Sequence, residues 1–155
     1  MKDSKHISKE PCQLRRGKEF QKIVQADYSK NSKDGDVGIE EFVSFKNVSG
    51  IKQKSGRMDI IVHYPAGDDF VMIMEIKATD WDKIKQKNIK RNLYRHSKQL
   101  YNYIDKFMLV NKFEVGLALL YPEPPKKEGL REHIEKTAME IYSFPVYWYN
   151  ELKSK

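Results

Sequence analysis

Three residues on two short segments have the types and spacing for metal-assisted hydrolysis. Asp59 lies in Gly56-Arg57-Met58-Asp59-Ile60-Ile61-Val62, and Glu75 and Lys77 lie in Phe70-Val71-Met72-Ile73-Met74-Glu75-Ile76-Lys77. Two carboxylates can hold a divalent cation, and a lysine beside them can orient a water or help deprotonate it. With a metal, that is the minimum equipment for hydrolysing a phosphodiester.

Strand periodicity predicts that these groups meet. Side chains alternate faces along a strand, so Glu75 and Lys77 point the same way. Phe70 to Met74 is apolar throughout, as expected of a strand buried on both faces. A carboxylate and an ammonium at the end of such a strand are costly to bury without partners. Pro65-Ala66-Gly67-Asp68-Asp69 is rich in turn formers, and a hairpin there brings Asp59 alongside Glu75. The competing explanation is a strand-end ion pair worth ~1 kcal/mol or less. Glu-x-Lys alone is weak, since Glu151-Leu152-Lys153 repeats it in the polar tail, where a solvated surface is expected. The buried strand and the carboxylate on the adjoining strand favour the site.

These residues resemble the motif of the PD-(D/E)xK nuclease superfamily, which has the restriction-endonuclease-like fold. Asp59 matches its first acidic position and Glu75-Ile76-Lys77 its (D/E)-x-K part, while Met58 stands where the motif has proline. The resemblance covers about residues 12 to 121. It implies Mg2+ or Mn2+ held by Asp59, Glu75 and the Ile76 backbone carbonyl, with Lys77 on the attacking water. Products would carry a 5′-phosphate and a 3′-hydroxyl. A glutamate from the first helix often completes the metal shell in that family, and Glu19 is the candidate here; Glu10 precedes Pro11 and falls outside the helix. Gln99-Leu100-Tyr101-Asn102-Tyr103 is similar to the Gln-x-x-x-Tyr motif of RecB-like nucleases. That likeness inclines the expectation towards processing of DNA ends or single strands.

Spacing of four puts Gln99 and Tyr103 on one helical face, with Arg95 one turn earlier. Glutamine can hydrogen-bond both a water and a phosphate oxygen, and Arg95 could fork onto a phosphate. Between Lys83 and Lys98 the chain carries Lys83, Lys85, Lys87, Lys90, Arg91, Arg95 and Lys98 and no acid. Such a stripe gives salt-dependent, sequence-blind phosphate affinity. Tyr94, His96 and Tyr101 interleave with it and could stack on unpaired bases. Arg15, Arg16, Lys18 and Lys22 form a second basic cluster. The four histidines show no close metal-ligand spacing, although His63 falls on the strand face of Asp59. Trp81 is expected to pack, or to line a substrate groove.

Bulk properties agree with an anionic partner. The chain has 155 residues and a formal net charge of +7. That charge favours nucleic acid first and an acidic membrane surface second, with DNA the likelier substrate by the resemblance. One cysteine, Cys12, excludes an intrachain disulfide and the four-cysteine iron–sulfur cluster of some RecB-like proteins. No apolar run suits a membrane span, and Met1-Lys2-Asp3-Ser4-Lys5 lacks the apolar core of a secretory signal. A cytoplasmic protein is the expectation. No glycine loop of the P-loop kind is present, which argues against ATP-driven work.

The elements that must position the site read as one domain over residues 1–155, the first ten frayed. A helix is predicted over 12–28, with Leu14, Phe20, Ile23, Val24 and Tyr28 as its apolar contacts. A loop at 31–36, a strand at 41–48 and the two central strands follow. A long helix from about 82 to 108 carries the stripe Ile89, Leu93, Leu100, Ile104, Phe107 and Met108. Phe113 to Tyr121 is a buried strand broken by Pro122-Glu123-Pro124-Pro125; Leu130–Ile141 is a helix and Tyr142–Tyr149 a last strand. The order α-β-β-β-α-β-α-β predicts an α/β mixed sheet flanked by helices. The αβββαβ part matches the restriction-endonuclease-like core, with a C-terminal αβ extension. Three functions remain open on this sequence: a metal-dependent nuclease, an RNase of toxin type on the same fold, and a non-catalytic nucleic-acid-binding module. A fourth, an adaptor for an acidic protein, predicts no metal requirement.

Overall fold

The computed structural model describes residues 12–31, 36–39, 42–43, 56–57, 59–63, 70–110 and 114–153. Helix α1 (Cys12–Asn31) is followed by strands β1 (Asp36–Ile39), β2 (Phe42–Val43), β3 (Gly56–Arg57), β4 (Ile60–His63) and β5 (Phe70–Ile76). A 3-10 turn (Trp81–Lys83) leads into α2 (Gln86–Val110). Then come β6 (Glu114–Tyr121), α3 (Leu130–Tyr142), β7 (Val146–Trp148) and α4 (Tyr149–Lys153). The class is α/β. Five strands form one sheet in the order β1-β4-β5-β6-β7, and β2-β3 is a separate antiparallel ribbon. The β1, β4 and β5 side of the sheet is antiparallel, and β5, β6 and β7 run parallel.

Strand β5 is central because it is apolar on both faces. Val71 and Ile73 join one core with Ile89, Leu93 and Leu100 of α2, Leu117 and Leu119 of β6, and Ile134 and Ala138 of α3. Met74 and Ile76 join a second core with Ile60, Ala118, Leu120, Tyr149 and Val24 of α1. The alternation continues to the strand end, so Glu75 shares the α2 face and Ile76 the α1 face. The predicted stripe of α2 is buried at Ile89, Leu93 and Leu100; the side chains of Ile104, Phe107 and Met108 lie outside the described residues.

Several boundaries differ from the sequence expectation, each for a local reason. The segment from Gly56 to Val62 is two strands: β3 pairs with β2, Asp59 occupies a bend, and β4 pairs with β1 and β5. The strand expected at 41–48 is described only at Phe42–Val43, its remainder lying outside the described residues. Helix α1 runs on to Asn31, and Leu14 and Ile23 are exposed because Phe20, Val24 and Tyr28 carry the packing. The last strand starts at Val146 because Tyr142 still belongs to α3. Ser143 there adopts a left-handed conformation (φ 57°), its amide donating to the Met139 carbonyl. Pro145 then bars further helix. Beyond β7 the chain is helical, and Glu151 of the expected solvated tail pairs with Arg131 at 2.6 Å.

The 3-10 turn is pinned at both ends. Asp80 accepts from the Asp82 amide at 3.2 Å, and the Asp82 carboxylate accepts from the Lys126 amide at 2.9 Å. The proline-rich turn after β6 is thereby tied to the approach to α2. Among the described residues no helix is long and apolar enough to cross a membrane.

Candidate active site

The site forms where β5 ends. Ile60 pairs with Met74, and one step further along both strands Asp59 comes opposite Glu75. Asp59 is held from three directions. The Ile76 amide donates to its Oδ2 at 2.8 Å, Gln21 Nε2 to its Oδ1 at 2.7 Å, and Gln25 Nε2 to its backbone carbonyl at 2.9 Å. The bend before β4 lets the carboxylate leave the ladder and cap the amide of the neighbouring strand.

Glu75 is the most heavily buried charged group described, with 1% of its surface exposed. Lys77 Nζ donates to its Oε1 at 2.6 Å and to Gln99 Oε1 at 3.0 Å. The Lys77 amide donates to the Leu120 carbonyl at 3.0 Å, which fixes the backbone just past the strand. Among the described residues Glu75 Oε2 has no hydrogen-bond donor. Burial first, and the Asp59 charge second, push the Glu75 carboxyl up to about 8, and Lys77 opposes them. A buried carboxylate with an undonated oxygen, set against a second carboxylate, needs a proton or a cation.

The proton case has a measurable sign. Between the ordinary value of 4.5 and about 8, folded Glu75 keeps a proton that the unfolded chain has lost. Stability of the metal-free protein should therefore fall as pH rises through that window and level off above it. In the presence of a chelator, Tm should drop by several degrees more for wild type than for Glu75→Gln between about pH 5 and pH 9. Parallel curves would mean that Glu75 is charged throughout.

Behind Lys77 lies a buried aromatic group. Lys77 and Tyr121 occupy neighbouring positions one step beyond the Ile76–Leu120 pair. The Tyr121 hydroxyl is hydrogen-bonded to His96 Nδ1 at 2.8 Å. Trp81 meets Tyr121 edge-on at 5.1 Å between ring centroids. Burial, then the charges of Lys77 and Arg95, push His96 down to about 3, so it is neutral at physiological pH. Burial and the nearby Glu75 raise Tyr121 well above the usual phenol value. These three side chains give the Lys77 side of the site a neutral aromatic wall. His96, expected among the exposed stackers, is instead part of that wall, and Trp81 is a packing residue. Spacing gave one hint of this: His96 is one turn before Gln99 on α2.

The first helix contributes amides, not an acid. Glu19 is 65% exposed and lies 3.8 Å from Arg15, one turn back on the solvent side. Two residues along a helix rotate by about 200°. Once Phe20 and Val24 face the core, Gln21 and Gln25 reach Asp59 and Glu19 does not. Among the described residues no three His, Cys, Asp or Glu side chains cluster as a metal site. Among the described residues Asp59 and Glu75 are the two carboxylates of the site, and Ile76 joins them through its amide. Lys87, Lys90, Arg91, Arg95 and Lys98 are all exposed on α2, while Lys83 pairs with Asp80 at 2.8 Å. Tyr103 falls on α2 one turn after Gln99, its side chain outside the described residues. His63 begins the far end of β4, its backbone roughly 13 Å along the strand from Asp59.

In comparison with known proteins, no family model matches the chain and no curated protein matches it.

Proposed function

We propose that the protein is a divalent-metal-dependent nuclease acting on nucleic acid, DNA ahead of RNA. One observation carries this: a fully buried glutamate with an undonated oxygen, set against a second carboxylate and bonded on its other oxygen to a lysine. Hard oxygen donors of this kind suit Mg2+ or Mn2+. Asp59 and Glu75 would hold the ion, with the Ile76 carbonyl as a third donor. Bound there, the ion would supply Lewis-acid stabilisation of charge on the phosphate.

The remaining chemistry belongs to this chain. Lys77 Nζ, fixed between Glu75 and Gln99, orients the attacking water and sets a positive charge against the charge developing on phosphorus. Gln99, turned towards Lys77, holds the same water or a non-bridging oxygen. Arg95 grips a neighbouring phosphate. Water attack with departure of the 3′-oxygen leaves a 5′-phosphate and a 3′-hydroxyl. The fold proposed is the restriction-endonuclease-like one, of RecB-like type, and the setting is the cytoplasm. Its support is the resemblance of Asp59, Glu75-Ile76-Lys77 and Gln99 to that family's motifs, together with a mixed sheet flanked by helices.

The test is a gel assay with Mg2+ or Mn2+ on linear duplex, closed circular DNA, single-stranded DNA and structured RNA, with Glu75→Ala as the blank. Metal-dependent cleavage of a substrate that the variant leaves intact supports the proposal. Binding that survives in EDTA, with no cleavage of any substrate, would make the protein a binding module.

The basic face of α2 carries its own prediction. Replacing Lys87, Lys90 and Arg91 together by glutamine should reduce the slope of log K against log salt by about 2–3. An unchanged slope would place the phosphates on another surface.

A further inference from the structure

Two tyrosines of α2 belong neither to the core nor to the carboxylate site. Tyr94 is 52% exposed and Tyr101 39%. Seven residues apart, they lie in one row, two turns and roughly 10 Å along the helix. Both rest on one residue of α3. Tyr94 lies 6.5 Å from Tyr142 between ring centroids, and the Tyr101 hydroxyl donates to the Tyr142 carbonyl. Tyr142 in turn stacks on buried Phe144 at 6.1 Å. The two rings are therefore supported from beneath while a large part of each faces solvent.

Lys87, Arg91 and Lys98 complete the same row, at spacings of four, three, four and three residues with the tyrosines. None of the three has a carboxylate partner among the described residues. Around the helix, Arg95 stands between this row and Gln99.

We infer that this row binds a single-stranded nucleic acid, with unpaired bases stacked on Tyr94 and Tyr101 and phosphates on Lys87, Arg91 and Lys98. The rings select the occupant. An acidic peptide or a duplex would satisfy the cations and leave the aromatic faces without use, whereas a single strand offers both anionic phosphates and open base faces. The inference rests on the nuclease proposal, and gives it a substrate class: a strand laid along α2 and handed across Arg95 to Gln99 and Lys77.

The test is fluorescence anisotropy in EDTA, where turnover plays no part. The probes are short DNA and RNA single strands, an abasic strand of the same length and a blunt duplex. Tyr94→Ala and Tyr101→Ala should each weaken binding of a base-bearing strand about 5- to 100-fold. Binding of the abasic strand and the duplex should stay unchanged. Tyr94→Phe and Tyr101→Phe, which keep the rings, should bind as wild type; for Tyr101 this separates stacking from the bond to Tyr142. Equal loss on the abasic strand, no loss on any probe, or displacement of the strand by polyglutamate of equal charge would overturn the track. Because the readout needs no metal, an absence of cleavage would count against the nuclease alone, and cleavage with unaltered Tyr94→Ala binding would count against the track alone.

Discussion

Glu75→Gln should abolish metal-dependent cleavage, by at least ~10³-fold in kcat/KM, and still leave the metal-free protein as stable as wild type or more so at alkaline pH. Both effects come from one oxygen. Glu75 Oε2 is buried and undonated, and the Asp59 carboxylate beside it is another acceptor. At pH above about 8 the wild-type carboxyl is ionised in this setting, and the chain bears the cost of two adjoining charges. Glutamine keeps the shape, keeps an oxygen for Lys77 to donate to, and offers an amide to the carboxylate of Asp59. It cannot serve as an anionic ligand. The prediction also fixes a pH dependence: below about 8, cation binding must displace the Glu75 proton, so apparent Mg2+ affinity should rise up to about tenfold per pH unit as pH climbs towards 8. Calorimetry in buffers of different ionisation heat would count the released proton. A Glu75→Gln protein that cleaves at wild-type rate would remove the cation from the mechanism.

Lys77→Met should lower kcat by ~10²–10⁴-fold and change KM for the nucleic acid only a few-fold. The ammonium is held between Glu75 Oε1 and Gln99 Oε1, and the Lys77 side chain as a whole is 26% exposed. On the nuclease proposal it acts at short range on an incoming group and not as a long-range phosphate clamp. Methionine fills the same volume and takes away the charge. A second consequence separates two roles of the lysine. Lys77 is the one group that lowers the Glu75 carboxyl, so its loss should push that carboxyl further up and weaken Mg2+ binding at neutral pH. Raising the pH should restore cation affinity in Lys77→Met without restoring turnover. If turnover returns together with affinity, Lys77 serves only to keep Glu75 ionised. A rise in KM at unchanged kcat would make Lys77 a substrate-binding residue.

Much of the site was legible in the chain. The alternation of β5 put Glu75 and Lys77 on one face, and the apolar run from Phe70 to Met74 marked the strand as buried on both sides. Asp59 was found from the turn-rich linker, although its strand is really two, broken at the residue that matters. Gln99 was singled out by its likeness to the Gln-x-x-x-Tyr motif, and it accepts a hydrogen bond from Lys77. The first-helix contribution was not legible. Glu19 and Gln21 both border an apolar face in the sequence, and only the packing of Phe20 and Val24 against Tyr149 and Ile60 decides which of them turns inward. The composition of the helix offers an acid, but its rotation presents two amides.

By itself the sequence determined which backbone would be buried, which charges would share a strand face, and that the first half of one long helix would carry positive charge with no acid. These follow from periods of 2 and 3.6 and from the composition of single segments, and they survive into any fold that buries those segments. Only the tertiary structure decided the rest: the rotation of α1, the neutral wall of His96, Tyr121 and Trp81, and the support of Tyr94 and Tyr101 by Tyr142. Each of these joins residues 25 to 48 positions apart, the contact of α1 with Asp59 spanning 38. Contacts at such separations depend on how helices turn and cross over a sheet, and no local period encodes that.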